Sequence, residues 1–587
     1  MNIAHITHEA TQKMGGIGTV LEGLLTADAY QNAVDRTVLV GTWSLGSDPA
    51  ERLGANSKTL YSVCDGIDDG AWRALFKPIE EKYRVWISYG KRRLENKPDG
   101  KSAEVETLLF ETSQLNEQQY DYFKATLYQR FGIASGDYEQ AHDYDEWMRI
   151  AEPAYEACRA LLDNGETAFI AHEYMGMPTA LKAAMENERG VRAAFYAHEV
   201  STARAHVEHH PGHDTRFYNL MRQSQAQGKT IEQTLGNQWG SHRHALIERA
   251  QFCGGVFAVG DLVKEEYRFL SQECAQANIR LVYNGAPAKR IDLDEKKTSK
   301  ERLVQYASRL LGFQPDYIFT HVTRLVPSKG LWRDLRVLET LDERLRQAGL
   351  TAAMFILSTE IGPGRPGEEM RRLEKEYGWP VYHREGYPDL VGGEIQLSRS
   401  VNAFNERSSA AKVVFVNQFG WSQERCGDRM PAEMSFLDIR QGTDAEFGQS
   451  IYEPFGIAQI EPISFGAVCV VTNVCGCVGF VQKAAGEPNP PNLIAVDYTQ
   501  VEGGDISPEA ADQIGWAERD AIERRRAAAA AEELFERLPK NDAEAQALLD
   551  RGYEIARKMS WETVAEEYFL PALRSCRPFG GGGSSLS

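Results

Sequence analysis

The stretch Ile451-Tyr-Glu-Pro-Phe-Gly-Ile-Ala-Gln-Ile-Glu-Pro-Ile-Ser-Phe-Gly466 carries two glutamates, Glu453 and Glu461, eight residues apart around a Pro-Phe-Gly turn. An apolar run, Ala467–Val471, follows it directly. This pattern predicts a loop that ends at Glu453, a helix that begins near Gly456 and a buried strand after the last glycine. The start of a helix offers free N–H groups and partial positive charge, so this segment suits a diphosphate.

The two glutamates suit the sugars on either side of such a diphosphate. Glu461 is expected about one turn along the helix, where a carboxylate can accept hydrogen bonds from a ribose diol. Glu453 is expected in front of the helix, where it can hold hydroxyls of a sugar attached to the diphosphate. The alternative is a surface helix with two solvated acids, which the Pro-Phe-Gly context disfavours.

Length, charge and cysteine content exclude several classes of protein. A chain of 587 residues is too long for one core, so two large domains are expected. The formal net charge of −19 disfavours nucleic acid or an anionic membrane as the main partner. No window holds the roughly 18 uninterrupted apolar residues of a membrane span, and the chain opens on a strand-like run instead of a signal peptide. A cytoplasmic protein is therefore expected. The nine cysteines form no CxxC pair, which argues against a zinc ribbon or a disulfide framework.

Strand-like runs alternate with amphipathic helical runs along the chain, which predicts mostly parallel sheets covered on both faces. The predicted strands form two blocks: Ile3–Thr7, Thr37–Val40, Val85–Ile87, Ala168–Ala171, Ala193–Ala197, Gly255–Val259 and Arg280–Val282, then Tyr317–Val322, Ala353–Leu357, Val413–Asn417, Ala467–Thr472 and Asn492–Val496. The predicted domains are 1–286 and 287–558, joined through Asn284–Pro287 and the charged run that follows it. A terminal helix, 559–576, is predicted to return to the first domain, and a flexible Gly/Ser tail, 577–587, to follow it.

A glycine-rich turn, Lys13-Met-Gly15-Gly16, follows the first predicted strand and opens a helix. Such a turn lets backbone N–H groups approach a phosphate closely. Its nearest competitor is a dinucleotide-binding fingerprint, but the glycine spacing differs and no acid ends the second strand. A plain strand–helix turn remains the alternative.

Two cations, Arg324 and Lys329, lie five residues apart on a short loop after the first strand of the second block. Both can converge on one diphosphate and stabilise the charge that develops on a departing nucleotide. The alternative is that both cations are simply solvated on the loop. The pair of glutamates downstream disfavours that alternative.

Histidines follow two strands of the first block: His172-Glu173 and His198. Open α/β sheets build their sites at these strand ends, so His198 is expected at a sugar. His206, His209, His210 and His213 crowd the next loop, but their spacing matches neither a zincin nor a zinc finger, so no metal site is predicted.

A last glycine, Gly476, follows the strand beyond the glutamate pair and is expected to present backbone amides to a sugar or phosphate. Cys475 and Cys477 flank it. A redox role for these thiols is the alternative to buried, inert cysteines, which are commoner.

Taken in order, these segments resemble the glycogen and starch synthases, which are retaining nucleotide-sugar glycosyltransferases of the GT-B fold. Lys13-Met-Gly-Gly16 is similar to the K-x-G-G phosphate loop of that family, Arg324 and Lys329 to its phosphate-binding pair, and Glu453 and Glu461 to its E-x7-E motif. The first half is also similar to the animal and fungal glycogen synthases, in Ala171-His-Glu173, Tyr196-Ala-His198, Phe217-Tyr-Asn219, Glu248-Arg-Ala250, Val282-Tyr-Asn-Gly285 and, near the C-terminus, Ser560-Trp-Glu562.

The resemblance implies two doubly wound Rossmann-like domains that face a deep cleft, with UDP-glucose or ADP-glucose as donor and an α-glucan as acceptor. It implies Glu453, Arg324, Lys329 and His198 as catalytic residues, and no metal and no cofactor beyond the donor. It also implies that the donor is bound by Lys13, Gly15 and Gly16 and that the acceptor side includes His172 and Glu173. A homo-oligomer is allowed. The only compact arginine run near the C-terminus, Arg524–Arg526, does not match the arginine cluster with which eukaryotic glycogen synthases sense glucose 6-phosphate, so that regulation is not expected.

Two other functions fit the same motifs. One is a retaining transferase that glycosylates a small sugar phosphate or an osmolyte, because the E-x7-E motif is shared and only the acceptor site differs. The other is a catalytically silent carbohydrate-binding protein, although a silent member would be free to lose Arg324, Lys329 and Glu453. A phosphorylase is disfavoured, since no segment suggests a pyridoxal-phosphate lysine.

Overall fold

The computed structural model describes residues 1–43, 48, 51–70, 72–163, 165–362, 364–377, 389–504 and 506–580. Contacts within the chain divide it into two compact units. Unit 1 comprises Met1–Arg204, Ser224–Gly285 and the segment from Trp561 onward, and unit 2 comprises Ala205–Gln223 and Ala286–Ser560. The sequence-based boundaries differ mainly in assigning Ala205–Gln223 to the first domain, and at Ala286 and Met559–Ser560 they differ by one or two residues.

In unit 1 the described residues form a ten-stranded sheet in the order β10-β9-β8-β7-β1-β2-β6-β5-β3-β4. All pairs from β10 to β6 are parallel, and β6, β5, β3 and β4 pair antiparallel. The strands are β1 Asn2–Ile6, β2 Thr37–Thr42, β3 Ser57–Ser62, β4 Ile67–Asp68, β5 Trp86–Asn96, β6 Lys101–Glu111, β7 Thr167–His172, β8 Val191–Ala197, β9 Gly255–Ala258 and β10 Ile279–Leu281.

In unit 2 the described residues form a six-stranded parallel sheet in the order β13-β12-β11-β14-β15-β16. The strands are β11 Tyr317–Val322, β12 Ala352–Leu357, β13 Ala411–Val416, β14 Ala445–Gly448, β15 Val468–Thr472 and β16 Leu493–Val496. Every residue of β12 is buried, as expected for a parallel strand with helices on both faces. The predicted fold class, two α/β domains built on mostly parallel sheets, is confirmed.

The helices lie between the strands and cover the sheets. Those from the first half of the chain are α1 Gly16–Leu25, α2 Asp28–Ala33, α3 Arg73–Tyr83, α4 Glu117–Phe131, α5 His142–Leu161, α6 Glu173–Glu186, α7 Ser201–His209, α8 His213–Ala226, α9 Ile231–Leu235, α10 His242–Glu248, α11 Asp261–Leu270 and α12 Gln272–Gln276. Those that follow are α13 Leu293–Leu311, α14 Leu331–Ala348, α15 Gly367–Tyr377, α16 Gly393–Arg407, α17 Gln423–Cys426, α18 Phe436–Gly442, α19 Ile457–Ile460, α20 Cys477–Ala485, α21 Pro508–Asp512, α22 Trp516–Arg537 and α23 Asp542–Arg557.

The C-terminal segment packs within unit 1. It consists of α24 Trp561–Thr563, a π-helical turn Val564–Phe569 and α25 Leu570–Ser575. The Trp561 indole lies so close to Gly23 that a Cβ there would come within 2.0 Å of it. The first residues of the predicted flexible tail are ordered, because the Phe579 N–H donates to the Val191 carbonyl at 2.8 Å. The rest of that tail, 581–587, lies outside the described residues.

None of the helices among the described residues has both the length and the apolar character that crossing a bilayer requires.

A buried ion pair holds Ala205–Gln223 in unit 2. The Arg333 guanidinium donates to both carboxylate oxygens of Asp214, at 2.9 and 2.6 Å, and to Glu523 at 2.9 Å. All three side chains are fully buried. The Thr215 hydroxyl adds a bond to the Tyr498 carbonyl at 2.9 Å. The boundary of unit 2 depends on a cation and an anion that are remote in sequence. No local sequence pattern therefore predicted it.

Replacing Asp214 by alanine should lower the free energy of unfolding by about 3 kcal/mol, because Arg333 would keep a buried charge with one partner fewer. Denaturant unfolding of the purified protein measures this. The control is Glu343→Ala, which removes the exposed partner of Arg346 and should change stability little. Equal stability of the Asp214→Ala variant and the wild type would contradict the anchoring role.

Candidate functional site

The loops that follow three adjacent parallel strands of unit 2 meet at one edge of its sheet. Residues 323–330 follow β11, residues 449–456 follow β14 and residues 473–476 follow β15. The Ile451 N–H donates to the Ser328 carbonyl at 2.8 Å. Gly330 has φ +60°, and a Cβ there would lie 2.3 Å from the Gln449 carbonyl oxygen. The first two loops are therefore locked together through their backbones.

The backbone contact between these two loops brings two predicted site residues together. The Lys329 ammonium donates to Glu453 Oε2, and Gln459 Nε2 donates to the same oxygen at 2.8 Å. The Lys329 and Glu453 side chains are 13% and 11% exposed, so both charges are largely removed from water. Arg324 lies on the same loop and is exposed. Gln459 was missed in the sequence, although it lies between the two glutamates.

The predicted helix start is confirmed. Gly456 has φ +89°, a left-handed conformation that favours glycine, and α19 begins at the next residue. The helix makes a single turn, and a 3₁₀ segment, Glu461–Phe465, continues it. The proline after Glu461 accounts for the change, because proline lacks the N–H that α-helical bonding needs.

Glu461 is held by a buried arginine that the sequence did not single out. Arg440 Nε lies 3.1 Å from Glu461 Oε2, and Arg440 Nη1 lies 3.2 Å from Glu446 Oε1. Burial alone would lower the pKa of Arg440, but the two carboxylates outweigh it and raise that pKa. The Glu461 side chain keeps 24% exposure, so it can still meet a ligand with its carboxylate oriented by Arg440.

The expectation for Gly476 needs correction. Its N–H donates to the Glu453 carbonyl at 2.9 Å, and the Cys477 N–H donates to the Phe455 carbonyl at 2.9 Å. These amides are therefore used within the protein. Glycine is required here for space, because a Cβ at Gly476 would lie 1.7 Å from the Pro454 carbonyl oxygen. The Cys475 and Cys477 thiols are buried, with their sulfurs 3.2 Å apart.

In unit 1, the glycine-rich turn after β1 is occupied by a carboxylate of the protein itself. The Met14 and Gly15 N–H groups donate to Glu9 Oε2 at 2.7 and 2.8 Å, and Glu9 is buried. Those two amides are thus satisfied internally, contrary to the expectation that Gly15 offers its N–H to a phosphate. A Cβ at Gly16 would meet nothing within 4 Å, so Gly16 faces open space. Lys13 pairs with Glu22 at 2.7 Å.

The predicted histidines also come together, but in different roles. His172 Nδ1 lies 2.9 Å from His198 Nε2, and His172 Nε2 lies 2.8 Å from His5 Nδ1. His172 is fully buried with both ring nitrogens engaged, so it bridges two histidines and does not contact a sugar directly. His198 retains partial exposure at the end of β8. His5, inside β1, was missed because a buried strand residue carries no local signal.

Glu173 adopts a backbone conformation that is rare for a residue other than glycine, with φ +60°. Its carboxylate accepts the Glu199 N–H at 2.8 Å. Burial, together with the nearby Glu199 carboxylate, raises the pKa of Glu173 well above its usual range. The group is largely enclosed, so its predicted contact with an acceptor can involve only a small part of its surface.

The histidine-rich segment is not the predicted loop, because His206 and His209 lie in α7 and His213 begins α8, and its side chains contact the protein itself. His213 Nδ1 donates to the Val207 carbonyl at 2.8 Å, and His210 Nδ1 accepts the Gly212 N–H at 3.0 Å. The His206 ring stacks on Phe217. Within the described part of the chain, no group of three or more histidine, cysteine, aspartate or glutamate side chains is arranged to hold a metal ion.

No protein-family model matches this sequence, and comparison with curated proteins found no match. Among solved structures, the chain is similar to trehalose-6-phosphate synthase from E. coli bound with UDP-2-fluoro glucose, at 12% identity and a TM-score of 0.49 over 98% of this chain and 100% of that one. It is also similar to the catalytic domain of starch synthase IV from Arabidopsis thaliana bound to ADP and acarbose, at 13% identity and a TM-score of 0.49 over 98% and 99%. Similarity of this degree assigns no activity, so the function is argued from the residues of this chain.

Gly476→Ala should lower the free energy of unfolding by about 1–3 kcal/mol, the usual range for overpacking, because its Cβ would overlap the Pro454 carbonyl. Denaturant unfolding of the variant tests this. Gly136→Ala is the matched control, since a Cβ at Gly136 meets nothing within 4 Å. If both variants were as stable as the wild type, the close approach of the two turns would be wrong.

Proposed function

We propose that the protein is a retaining glycosyltransferase that moves glucose from a nucleotide-glucose donor to the non-reducing end of an α-1,4-glucan. The observation that carries the proposal is the contact between Lys329 and Glu453 in unit 2. The sequence predicted Lys329 at a diphosphate and, independently, Glu453 at a sugar. Their convergence, with Arg324 on the same loop, supports a single nucleotide-sugar site.

Donor binding is assigned to unit 2. Arg324 and Lys329 hold the diphosphate, Glu453 holds hydroxyls of the glucose and Glu461 holds the ribose. Without a nucleotide, Glu453 neutralises Lys329, which keeps a largely buried ammonium paired. The flexible lysine stem allows the ammonium to turn toward a bound diphosphate. Gln459 donates to Glu453 as well, so the carboxylate keeps a partner when the lysine moves.

The proposed reaction is attack on the same face of the sugar that the nucleotide leaves. The bond between C1 of glucose and the acceptor oxygen forms as the bond between C1 and the phosphate oxygen breaks. The acceptor proton passes to that phosphate oxygen, so no strong general base of the protein is required. Arg324 and Lys329 stabilise the charge on the departing diphosphate, and His198 contacts the sugar. The route uses neither a metal nor a further cofactor.

The acceptor side is assigned to unit 1, where the charges favour an uncharged acceptor. Arg204 pairs with Glu199 at 2.9 Å and Arg243 with Asp143 at 3.0 Å. The buried Glu173 carboxylate accepts the Glu199 N–H at 2.8 Å. A phosphorylated sugar would have to compete with these carboxylates for each cation. This supports a glucan over a sugar phosphate as acceptor.

Incubation with UDP-glucose or ADP-glucose and glycogen should release the nucleoside diphosphate and lengthen the glucan with α linkages. Coupled detection of UDP or ADP, with analysis of the chains, measures both. The reaction should persist in a chelator, and the Glu453→Ala variant, with turnover roughly 100-fold lower, is the negative control. Transfer to glucose 6-phosphate alone would identify a small-acceptor enzyme. Neither transfer nor hydrolysis with any common nucleotide sugar would favour a silent binding protein.

Arg324→Ala and Lys329→Ala should each lower kcat by roughly 10- to 100-fold, because each removes one cation from the departing diphosphate. The double variant should lose less than the product of the two, since both act on one group. Steady-state kinetics of the four proteins form the cycle. Lys297→Ala, which removes an exposed lysine paired with Asp542, is the control. Fully multiplicative losses would place the two cations on different groups.

A further inference from the structure

A continuous row of hydrogen-bonded side chains leads from the interior of unit 1 to His198. Thr37 Oγ1 lies 3.0 Å from the Tyr30 hydroxyl, which lies 3.1 Å from His5 Nε2. His5 Nδ1 lies 2.8 Å from His172 Nε2, and His172 Nδ1 lies 2.9 Å from His198 Nε2. The three histidines belong to the adjacent strands β1 and β7 and to the residue after β8. The row therefore crosses the carboxyl end of the sheet.

The rings of this row are neutral. Burial lowers the pKa of both His5 and His198 to about 3, and burial together with its histidine neighbours lowers that of His172 well below its usual range. At neutral pH each ring therefore carries one proton, on either Nδ1 or Nε2. Burial also raises the pKa of Tyr30, which keeps its hydroxyl protonated.

The pairing of the atoms couples the three tautomers. Each contact between rings joins an Nδ1 to an Nε2. A hydrogen bond needs one N–H and one lone pair, so two rings in different tautomers would place two protons or two lone pairs face to face. All three histidines must therefore carry the proton on Nδ1, or all three on Nε2. The planes of His172 and His198 are 12° apart, so an in-plane N–H meets an in-plane lone pair.

Tyr30 decides between these two states. A phenol hydroxyl is a better donor than the N–H of a neutral imidazole, and an imidazole nitrogen is a better acceptor than a phenol oxygen. The Tyr30 hydroxyl therefore donates to His5 Nε2 and accepts from Thr37. We propose that Tyr30 and His5, acting through His172, are positioning residues that fix the proton of His198 on Nδ1 and so make the ring nitrogen that does not contact His172 a hydrogen-bond donor.

The neighbouring aromatic rings leave the donor-to-acceptor direction of these hydrogen bonds unchanged. The Phe569 ring lies 6.3 Å from His5 and 5.8 Å from Tyr30 between ring centres, and offers them no competing polar atom. The Tyr196 ring lies 4.5 Å from that of His198, but its hydroxyl donates to the Val282 carbonyl. The tautomer of His198 is consequently set from a side chain three hydrogen bonds away.

The tautomer of His198 follows from the contacts within unit 1. Only its consequence for catalysis rests on the proposed function. A histidine fixed as a donor recognises a sugar hydroxyl oxygen or an oxygen that gains negative charge, whereas the other tautomer would offer a lone pair there. His198 would then contribute a directed N–H without titrating between pH 5 and 8, because its pKa is about 3. The sequence shows none of this, since Tyr30, His5 and Thr37 lie in separate elements.

The test is the protonation state of the His198 nitrogens, read by ¹⁵N NMR of protein labelled in histidine, with the His198→Gln variant assigning the signal. The wild type should show a protonated Nδ1 at His198. Tyr30→Phe removes the hydroxyl that donates to His5 and should shift the proton of His198 toward Nε2, whereas Thr37→Val should leave it on Nδ1. Tyr144→Phe is the matched control, because it removes an equally buried hydroxyl that donates to Ser135 at 2.8 Å.

His5→Phe cuts the row one step nearer to His198 and should give the same shift, so the proposal stays testable if Tyr30→Phe does not fold. A His198 signal that is unchanged in a folded Tyr30→Phe or His5→Phe protein overturns the proposal, as does a wild-type proton on Nε2. The NMR measurement does not depend on any enzymatic activity. In the transferase assay, Tyr30→Phe should lower kcat roughly two- to tenfold, the effect of one neutral hydrogen bond, with the KM for the nucleotide sugar unchanged. A shifted tautomer without any transfer in the wild type would reject the proposed function alone.

Discussion

The Ser328 carbonyl accepts the Ile451 N–H at 2.8 Å, and this one backbone bond joins two loops that are far apart in sequence. The glycine at position 330 fits against the Gln449 carbonyl beside it. The lock is available because β11 and β14 are parallel neighbours, so their following loops emerge at the same edge of the sheet. Lys329 reaches Glu453 only because this backbone bond aligns the loops that follow β11 and β14. The chemistry assigned to unit 2 therefore depends on a main-chain contact as much as on the charged residues.

Buried charges in unit 2 are balanced in pairs or triads. Lys329 faces Glu453, Arg440 faces Glu461 and Glu446, and Arg333 faces Asp214 and Glu523. Such groups add little net stability compared with well-packed apolar residues, but removing one partner is costly. Their value lies in orientation, because a paired carboxylate has its direction fixed before a ligand arrives. Glu453 and Glu461 both meet that condition.

In unit 1, hydrogen bonds hold the glycine-rich turn and the row of His5, His172 and His198, although ion pairs such as Lys182–Glu152 are largely buried there too. The glycine-rich turn is closed by the buried Glu9 carboxylate, and the three histidines are held uncharged by burial. A surface of this kind suits an uncharged ligand with many hydroxyl groups, since it offers directed hydrogen bonds without a net attraction for phosphate. The contrast between this turn and histidine row and the paired charges of unit 2 agrees with the division of donor and acceptor in the proposed function.

The α/β class could be predicted from the amino-acid sequence, as could most of the parallel strands, the helix start at Gly456 and the two sets of charged residues in unit 2. These are visible because apolar runs, glycines and closely spaced charges are local signals. The antiparallel strands β3 to β6 were largely missed, since charged residues such as Lys91 and Arg92 interrupt their apolar pattern. The contacts of the folded chain were needed to show that Gly476 is required for space, that Glu9 fills the glycine turn, that Asp214 belongs to unit 2 and that His5 extends the histidine row. Each of these depends on a contact between residues remote in sequence, and such contacts leave no periodic trace along the chain.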